Sequence, residues 1–277
     1  MSRSKKNEPA FDRYRLPVNK KKVSLAGFDT RDKGCFPDRE QAEAGTADDI
    51  AEIALLQNRL YAEGRQALLI VLQATDTGGK DSTIRKVLGP INPQGVRVTS
   101  FKAPSSTELA HDYLWRVHQA VPEKGMIGVF NRSHYEDVLI VRVHGLAPKD
   151  AIEQRYDQIN AFERHLSDNN VTILKFFLHI SKEEQKERLQ ARLDDPSKHW
   201  KFNPGDLKER ERWDDYQDAF EIALSRCSTR HAPWFVIPAD RKWYRNAVIA
   251  RIIRCTLEGL DPQFPETEHD VDSIVID

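Results

Sequence analysis

The chain has 277 residues, of which 39% are hydrophobic and 31% charged, with a net charge of −1. This suffices for one α/β domain with extensions, while apolar runs such as those at 67–72 and 176–178 fall far short of the ~20 residues of a membrane helix. The near-neutral balance excludes a general nucleic-acid coat, so any polyanion has to be met by a local cluster of bases. Cys35, Cys227 and Cys255 are too few and too widely spaced for a disulfide framework or a zinc ribbon. No apolar stretch follows the basic N-terminal residues, so a cytoplasmic protein is expected.

Residues 1–22 carry eight Lys/Arg against two acids, and residues 261–277 six acids and no Lys or Arg. Weakly apolar, charged ends gain little from burial. The division expected is an N-terminal arm over 1–45, a single domain over 46–260 and an acidic tail over 261–277, in which 273–275 is strand-like. Apolar residues at helical spacing predict a helix over 48–61. The run ALLIVL at 67–72 suits a strand buried on both faces. Further strands are predicted at 96–101, 126–130, 171–179 and 234–237. Helices are predicted over 107–120, 149–167, 182–193, 206–226 and 243–257. Strands alternating with helices predict a five-stranded parallel sheet covered on both sides.

The first strand runs into Gln73-Ala74-Thr75-Asp76-Thr77-Gly78-Gly79-Lys80-Asp81-Ser82-Thr83. Strand, glycine turn, lysine and helix start is an arrangement that cradles phosphates through backbone N–H groups, a helix N-terminus and an ammonium. It departs from GxxxxGK[ST] at Ala74 and Asp81; the alternative is an ordinary glycine turn beside a surface lysine. Asp76 repels a phosphate unless a cation lies between them, so it implies Mg²⁺, the alternative being a capping or turn aspartate. The third strand delivers Asn131-Arg132-Ser133-His134-Tyr135-Glu136-Asp137. Asn131 stands where such enzymes often place a metal-orienting aspartate, with Glu136 close behind. Arg132 points to the crevice at the strand ends or sits in a buried ion pair.

These residues carry a specific resemblance. LQATDTGGKDSTI, INPQG, SFKAPS, HDYLWR and FNRSHYEDVLIVRV resemble the core of the polyphosphate kinase 2 family. The later LHISKEEQKERLQARLDDPSKHWKFNPGDLKER, APWFVIPADRKWYRN and SIVID are similar too, so the likeness runs from about Tyr14 to the C-terminus. The resemblance implies an α/β P-loop kinase fold close to thymidylate kinases, with a helical lid over about 182–205. It implies transfer of phosphoryl groups between inorganic polyphosphate and nucleotides. FNRS here, against FDRS in the family's diphosphate-only subgroup, is similar to the subgroup that carries AMP through ADP to ATP. The competing reading is an ATP-dependent nucleoside monophosphate kinase.

The resemblance also implies roles for single residues. Asp76, Asn131 and Glu136 place Mg²⁺, with Mn²⁺ the alternative. Lys80 and Arg132 sit on the transferred phosphate, with Thr77, Gly78, Gly79, Asp81, Ser82 and Thr83 as the phosphate loop. Phe101, Lys102, Ala103, Pro104 and Arg116 form the nucleotide side. Arg85, Arg188, Arg192, Lys198 and Lys201, together with Lys80 and Arg132, line the polyphosphate channel. From composition alone 182–202 reads as a salt-bridged surface helix; the resemblance makes it the lid. Partners are polyphosphate, AMP, ADP and ATP, without nucleic acid or membrane, in a homodimer or homotetramer. His134 is not a general base here, because a nucleotide phosphate oxygen is already anionic at pH 7.

Overall fold

The computed structural model describes residues 11–18, 22–267 and 276; the strand-like run at 273–275 lies outside them. Strands β1 (Ala67–Gln73), β2 (Val96–Ser100), β3 (Ile127–Asn131), β4 (Val171–His179) and β5 (Trp234–Pro238) form one parallel sheet in the order β2-β3-β1-β4-β5. Each lies within a residue of its predicted bounds. β1 is buried along its whole length, as a strand with neighbours on both edges and layers on both faces must be. Its side chains alternate between two cores. Leu68, Ile70 and Leu72 pack with Ile53 and Leu60 of α1 (Arg39–Glu63) and Val248 and Ile253 of α10 (Lys242–Leu260). Leu69 and Val71 pack with Tyr156 and Ile159 of α6 (Lys149–Asp168) and Ala223 and Leu224 of α9 (Trp213–Cys227).

Helix boundaries follow local chemistry more than hydrophobic period. α1 begins nine residues earlier than the predicted 48, because the Asp38 carboxylate caps Gln41 N–H. The predicted helix over 107–120 breaks into α3 (Ser106–Leu109) and α4 (Trp115–His118). Ser105 and Glu108 close a capping box on the first, and Asp112 turns the chain ahead of the second by accepting from Leu114 N–H. The predicted 206–226 divides at Arg212 into α8 (Gly205–Glu211) and α9. α7 (Lys182–Leu193), capped by Ser181, has the predicted bounds.

The described residues of the 1–45 segment do not simply lie over the surface. Phe11, Tyr14, Leu16, Val23 and Leu25 are buried, and the Tyr14 hydroxyl reaches Asp32 and Tyr244. The aromatic and aliphatic residues between the charges decide its course. Among the described residues no helix is long and apolar enough to cross a membrane.

Candidate active site

Leu72 of β1 pairs with Asn131 of β3, so the loops leaving the two strands emerge side by side. A cleft of about 730 Å³ opens there. Asp76, Thr77, Gly78, Gly79, Lys80, Asp81 and Ser82 form its floor, and Asn131 and Arg132 stand beside them. Arg85, Phe101 and Lys102 lie to one side, and Arg188, Arg192, Lys198 and Lys201 come from the lid.

The glycine loop explains its own departures from the usual pattern. The Ala74 methyl fills the space that a Cβ at Gly78 would need, so alanine in the first glycine slot is matched by glycine in the fifth. Gly79, at φ 104, turns the chain into α2 (Lys80–Thr83). The Ser82 and Thr83 hydroxyls both return to its carbonyl, at 2.9 and 3.0 Å, and close the helix start. A side chain at 79 would also collide with the guanidinium of Arg245, fully buried on α10, which donates to Ser82 Oγ at 3.0 Å. Burial lowers the Arg245 guanidinium to about 9, with Arg188 adding to the effect. Gly79→Ala is therefore expected to lower Tm by about 5 °C, combining a wrong φ with overpacking. A thermal melt within 1 °C of the parent would contradict this.

Arg132, itself at φ 62, joins the two carboxylates. It donates to Asp76 Oδ1 at 2.7 Å and to Glu136 Oε2 at 3.3 Å. Burial pulls its guanidinium down, but Glu136 and Asp76 outweigh this and hold it above its ordinary value. Asn131 Nδ2 donates to Asp81 Oδ1 at 2.5 Å. Asp76 and Glu136, expected with Asn131 as one metal set, are thus both taken up by Arg132, while Asn131 is engaged by Asp81. Among the described residues no group of three His, Cys, Asp or Glu could hold a metal. Glu136 lies outside the cleft wall, in a small pocket behind Asp76 beside Trp213 and Tyr216. The oxygen donors still suit a hard cation that keeps several waters and is completed by substrate phosphates.

Lys80 is buried, with Nζ 3.0 Å from the Ala74 carbonyl. Burial, then the neighbouring Arg132, push its ammonium down to about 8. A bound polyanion favours the charged form, so binding above pH 8 takes up a proton. The expected result is a kcat/KM for the phosphate donor that declines as pH rises through about 8, and calorimetry in buffers of different ionisation enthalpy should show the uptake. A flat profile to pH 9.5 would remove Lys80 from the binding step.

On the nucleotide side the structure divides the expected residues. Phe101 and Lys102 reach the cleft, whereas Ala103 and Pro104 lie outside its wall, as does Thr83 of the phosphate loop. Arg116 is turned away from the cleft: it donates to the Lys102 carbonyl at 2.9 Å and covers the Phe101 ring. It props the loop that follows β2. In the lid, Arg192 bridges Asp206 and the Lys201 carbonyl, both at 3.1 Å. Lys198 pairs with Asp195 at 2.6 Å. Lys242, at the start of α10, also lines the cleft and was missed. Its signal was present in DRKWYRN, a basic cluster directly after a strand.

Behind the loop after β3 lies a buried network that sequence reasoning also missed. Lys175 of β4 donates to Glu163 Oε2 at 2.5 Å, to Tyr135 Oη at 2.7 Å and to the Cys227 carbonyl at 2.7 Å. Glu163 of α6 also meets Tyr135 Oη and His134 Nε2. Gln73 reaches Ser133 Oγ from β1. The turn carrying Arg132 and Glu136 is thus held from three sides by groups wholly out of solvent. Burial alone raises the Glu163 carboxyl; Lys175 and His134 outweigh it and hold it below the carboxylate range.

The arrangement has the parts that phosphoryl transfer needs: a glycine loop before a helix, a lysine, a carboxylate–arginine pair and a basic lid over one cleft. The family model for polyphosphate kinase 2 matches residues 37–265. An AMP/ADP-polyphosphate phosphotransferase of Meiothermus ruber is 52% identical over 92% of this chain and 96% of its own. An ADP-polyphosphate phosphotransferase of Rhodopseudomonas palustris is 45% identical over 89% of each. The crystal structure of polyphosphate kinase 2 from Arthrobacter aurescens TC1 superposes with a TM-score of 0.91 at 46% identity, covering 95% of this chain and 93% of that one. With the family model matched over residues 37–265 and these relatives similar over nearly the whole length, the chain belongs to the polyphosphate kinase 2 family.

Proposed function

We propose that this protein transfers the terminal phosphoryl group of inorganic polyphosphate to nucleoside mono- and diphosphates, taking AMP to ADP and ADP to ATP, with guanine nucleotides handled alike. The observation that carries the reading is the cleft itself. Its floor is the glycine loop with Lys80 and Arg132, and its lid side supplies Arg192, Lys198 and Lys201, joined by Lys242 from α10. Such a wall suits a chain of repeating negative charge, with lid pairs such as Arg192–Asp206 exposed enough to exchange for phosphate. The acceptor's phosphate oxygen attacks the terminal phosphorus, the bridging P–O bond breaks, and the shortened chain leaves as a phosphate oxyanion. No proton has to be removed from the nucleophile. Lys80 and Arg132 are placed to neutralise charge on the equatorial oxygens.

Asp76, with Glu136 and Asn131 nearby, would hold Mg²⁺ or Mn²⁺, which would supply neutralisation of the phosphates' negative charge. Acceptance of AMP as well as ADP rests on Asn131. An aspartate there would face Asp81 across the present 2.5 Å hydrogen bond, adding like charge beside the acceptor. The same reading carries a cytoplasmic homodimer or homotetramer.

The test incubates the protein with magnesium, long-chain polyphosphate and AMP, without ATP, and follows nucleotides by chromatography. ADP followed by ATP is the expected result. ADP alone would overturn the dual acceptor range. No product, with transfer only from ATP, would establish a nucleoside monophosphate kinase instead.

A further inference from the structure

Arg188 stands in the lid, one helical turn before Arg192, and on sequence the two share one face toward polyphosphate. The structure separates them. Arg188 is 9% exposed, and its guanidinium is committed to the protein. Nε donates to Glu184 at 2.8 Å, Nη1 to the Thr77 carbonyl at 2.9 Å, and Nη2 to the carbonyls of Ala239 and Asp240 at 2.6 and 3.3 Å. Gln185, three residues earlier on the same helix face, donates from Nε2 to the Asp76 carbonyl at 3.1 Å. Its Oε1 is held in turn by Arg210 Nη1 at 2.9 Å. Two neighbouring side chains of α7 thus grip two successive carbonyls of the glycine loop.

Those carbonyls flank an unusual residue. Thr77 has φ 62, a left-handed conformation that β-branched side chains avoid. Its own hydroxyl is buried without a partner, so the side chain does not hold it there. C=O and N–H point in opposite directions across a trans peptide. Drawing the Asp76 carbonyl toward α7 therefore turns the Thr77 N–H away from α7, and Gly78 N–H is taken by the Thr75 carbonyl at 3.1 Å. Released from Arg188, Thr77 would relax to negative φ and re-aim the loop on either side of it, including Asp76.

We propose that Gln185 and Arg188 are positioning residues: they hold the glycine loop in its strained form, so that the inner half of the lid helix and the loop are one unit. Only the outer part of the lid, from Arg192 onward, is left to contact polyphosphate. The kinetic part of this inference rests on the transfer reading above; the exchange measurement below does not.

The experiment compares Arg188→Met, Thr77→Gly and the double variant by steady-state kinetics and by hydrogen–deuterium exchange of residues 74–80, with Tm as the folding control. In Arg188→Met, kcat should fall about 30-fold, the scale of a misplaced catalytic constellation, while the polyphosphate KM moves less than threefold. Exchange in 74–80 should rise with substrates absent. Glycine adopts φ 62 without penalty, so Arg188→Met should lose at least threefold less activity in the Thr77→Gly background than in the parent. Equal losses in both backgrounds, or a raised polyphosphate KM with unchanged exchange, would make Arg188 a direct polyphosphate ligand and overturn the proposal. Should Arg188→Met not fold, Gln185→Leu supplies the same exchange readout, and protection equal to the parent's would overturn it. A wild type without transfer activity would sink the reading of function and leave the exchange result standing.

Discussion

Asp76→Asn is expected to lower kcat for transfer from polyphosphate by about 10³-fold, the scale of removing a principal charge-stabilising group. The substitution keeps the shape and removes the charge. The fold should survive, because Arg132 keeps Glu136 at 3.3 Å and the Asp76 carbonyl keeps Gln185. Tm should stay within a few degrees of the parent, since the lost Arg132–Asp76 bridge is partly exposed. The magnesium requirement should move to higher concentration in whatever activity remains. A variant turning over within tenfold of the parent at the same magnesium concentration would take Asp76 out of the proposed metal site. The effect would then belong to Arg132, whose guanidinium Asp76 holds above its ordinary value after Glu136.

Lys175→Met should have the largest effect on stability. Lys175 and Glu163 are 0% and 1% exposed and 2.5 Å apart. Removing one partner of a buried pair leaves an uncompensated charge and costs about 3–5 kcal/mol, or roughly 10 °C in Tm for a domain of this size. The double variant Glu163→Gln/Lys175→Met should cost less than the single one, because no charge is stranded. The pH dependence has a definite sign. In the parent, Glu163 is held below the carboxylate range. Its contribution is present above the unfolded carboxyl value and is lost as pH falls through the lower folded value. Without Lys175, burial dominates and raises the carboxyl. Its unfavourable contribution then disappears as pH falls below the unfolded value. The gap in Tm between variant and parent should therefore narrow on acidification through the carboxylate range. A gap that is constant from pH 4 to pH 8 would show that Glu163 is not the group left stranded. Activity should fall with stability, since His134 and Tyr135, both held by Glu163, lie between Arg132 and Glu136 in the chain.

The strands, the central helices and the glycine loop were legible from the chain because their causes are local. A run such as 67–72 can be a strand only if both faces are covered, and alternation with helices leaves a parallel sheet as the solution. Asp76, Lys80 and Arg132 were legible because their residue types are chemically conspicuous at strand ends, and the cleft brings all three together. Lys175 was not, since it reads as one cation in the apolar run VTILKFFLH, and its meaning depends on Glu163 12 residues away and Cys227 52 residues away. The basic lid showed the same limit. Helical periodicity places Arg188 and Arg192 on one face, but a face of α7 touches both the glycine loop and the open cleft.

Short-range pattern and residue type therefore sufficed for the sheet, the placing of the glycine loop and the family. Tertiary packing chose which bases remain accessible to a polyanion. Arg192, tied to Asp206 and to the Lys201 carbonyl, stays partly exposed, while Arg188 and Arg245 are buried and Arg116 is nearly so. Packing also made Asp76 and Glu136 meet through Arg132 and not as a ready-made cage. A side chain's charge is written in the chain, but its partner is set by which distant segment packs within hydrogen-bond reach, and that follows from burying both faces of the sheet at once.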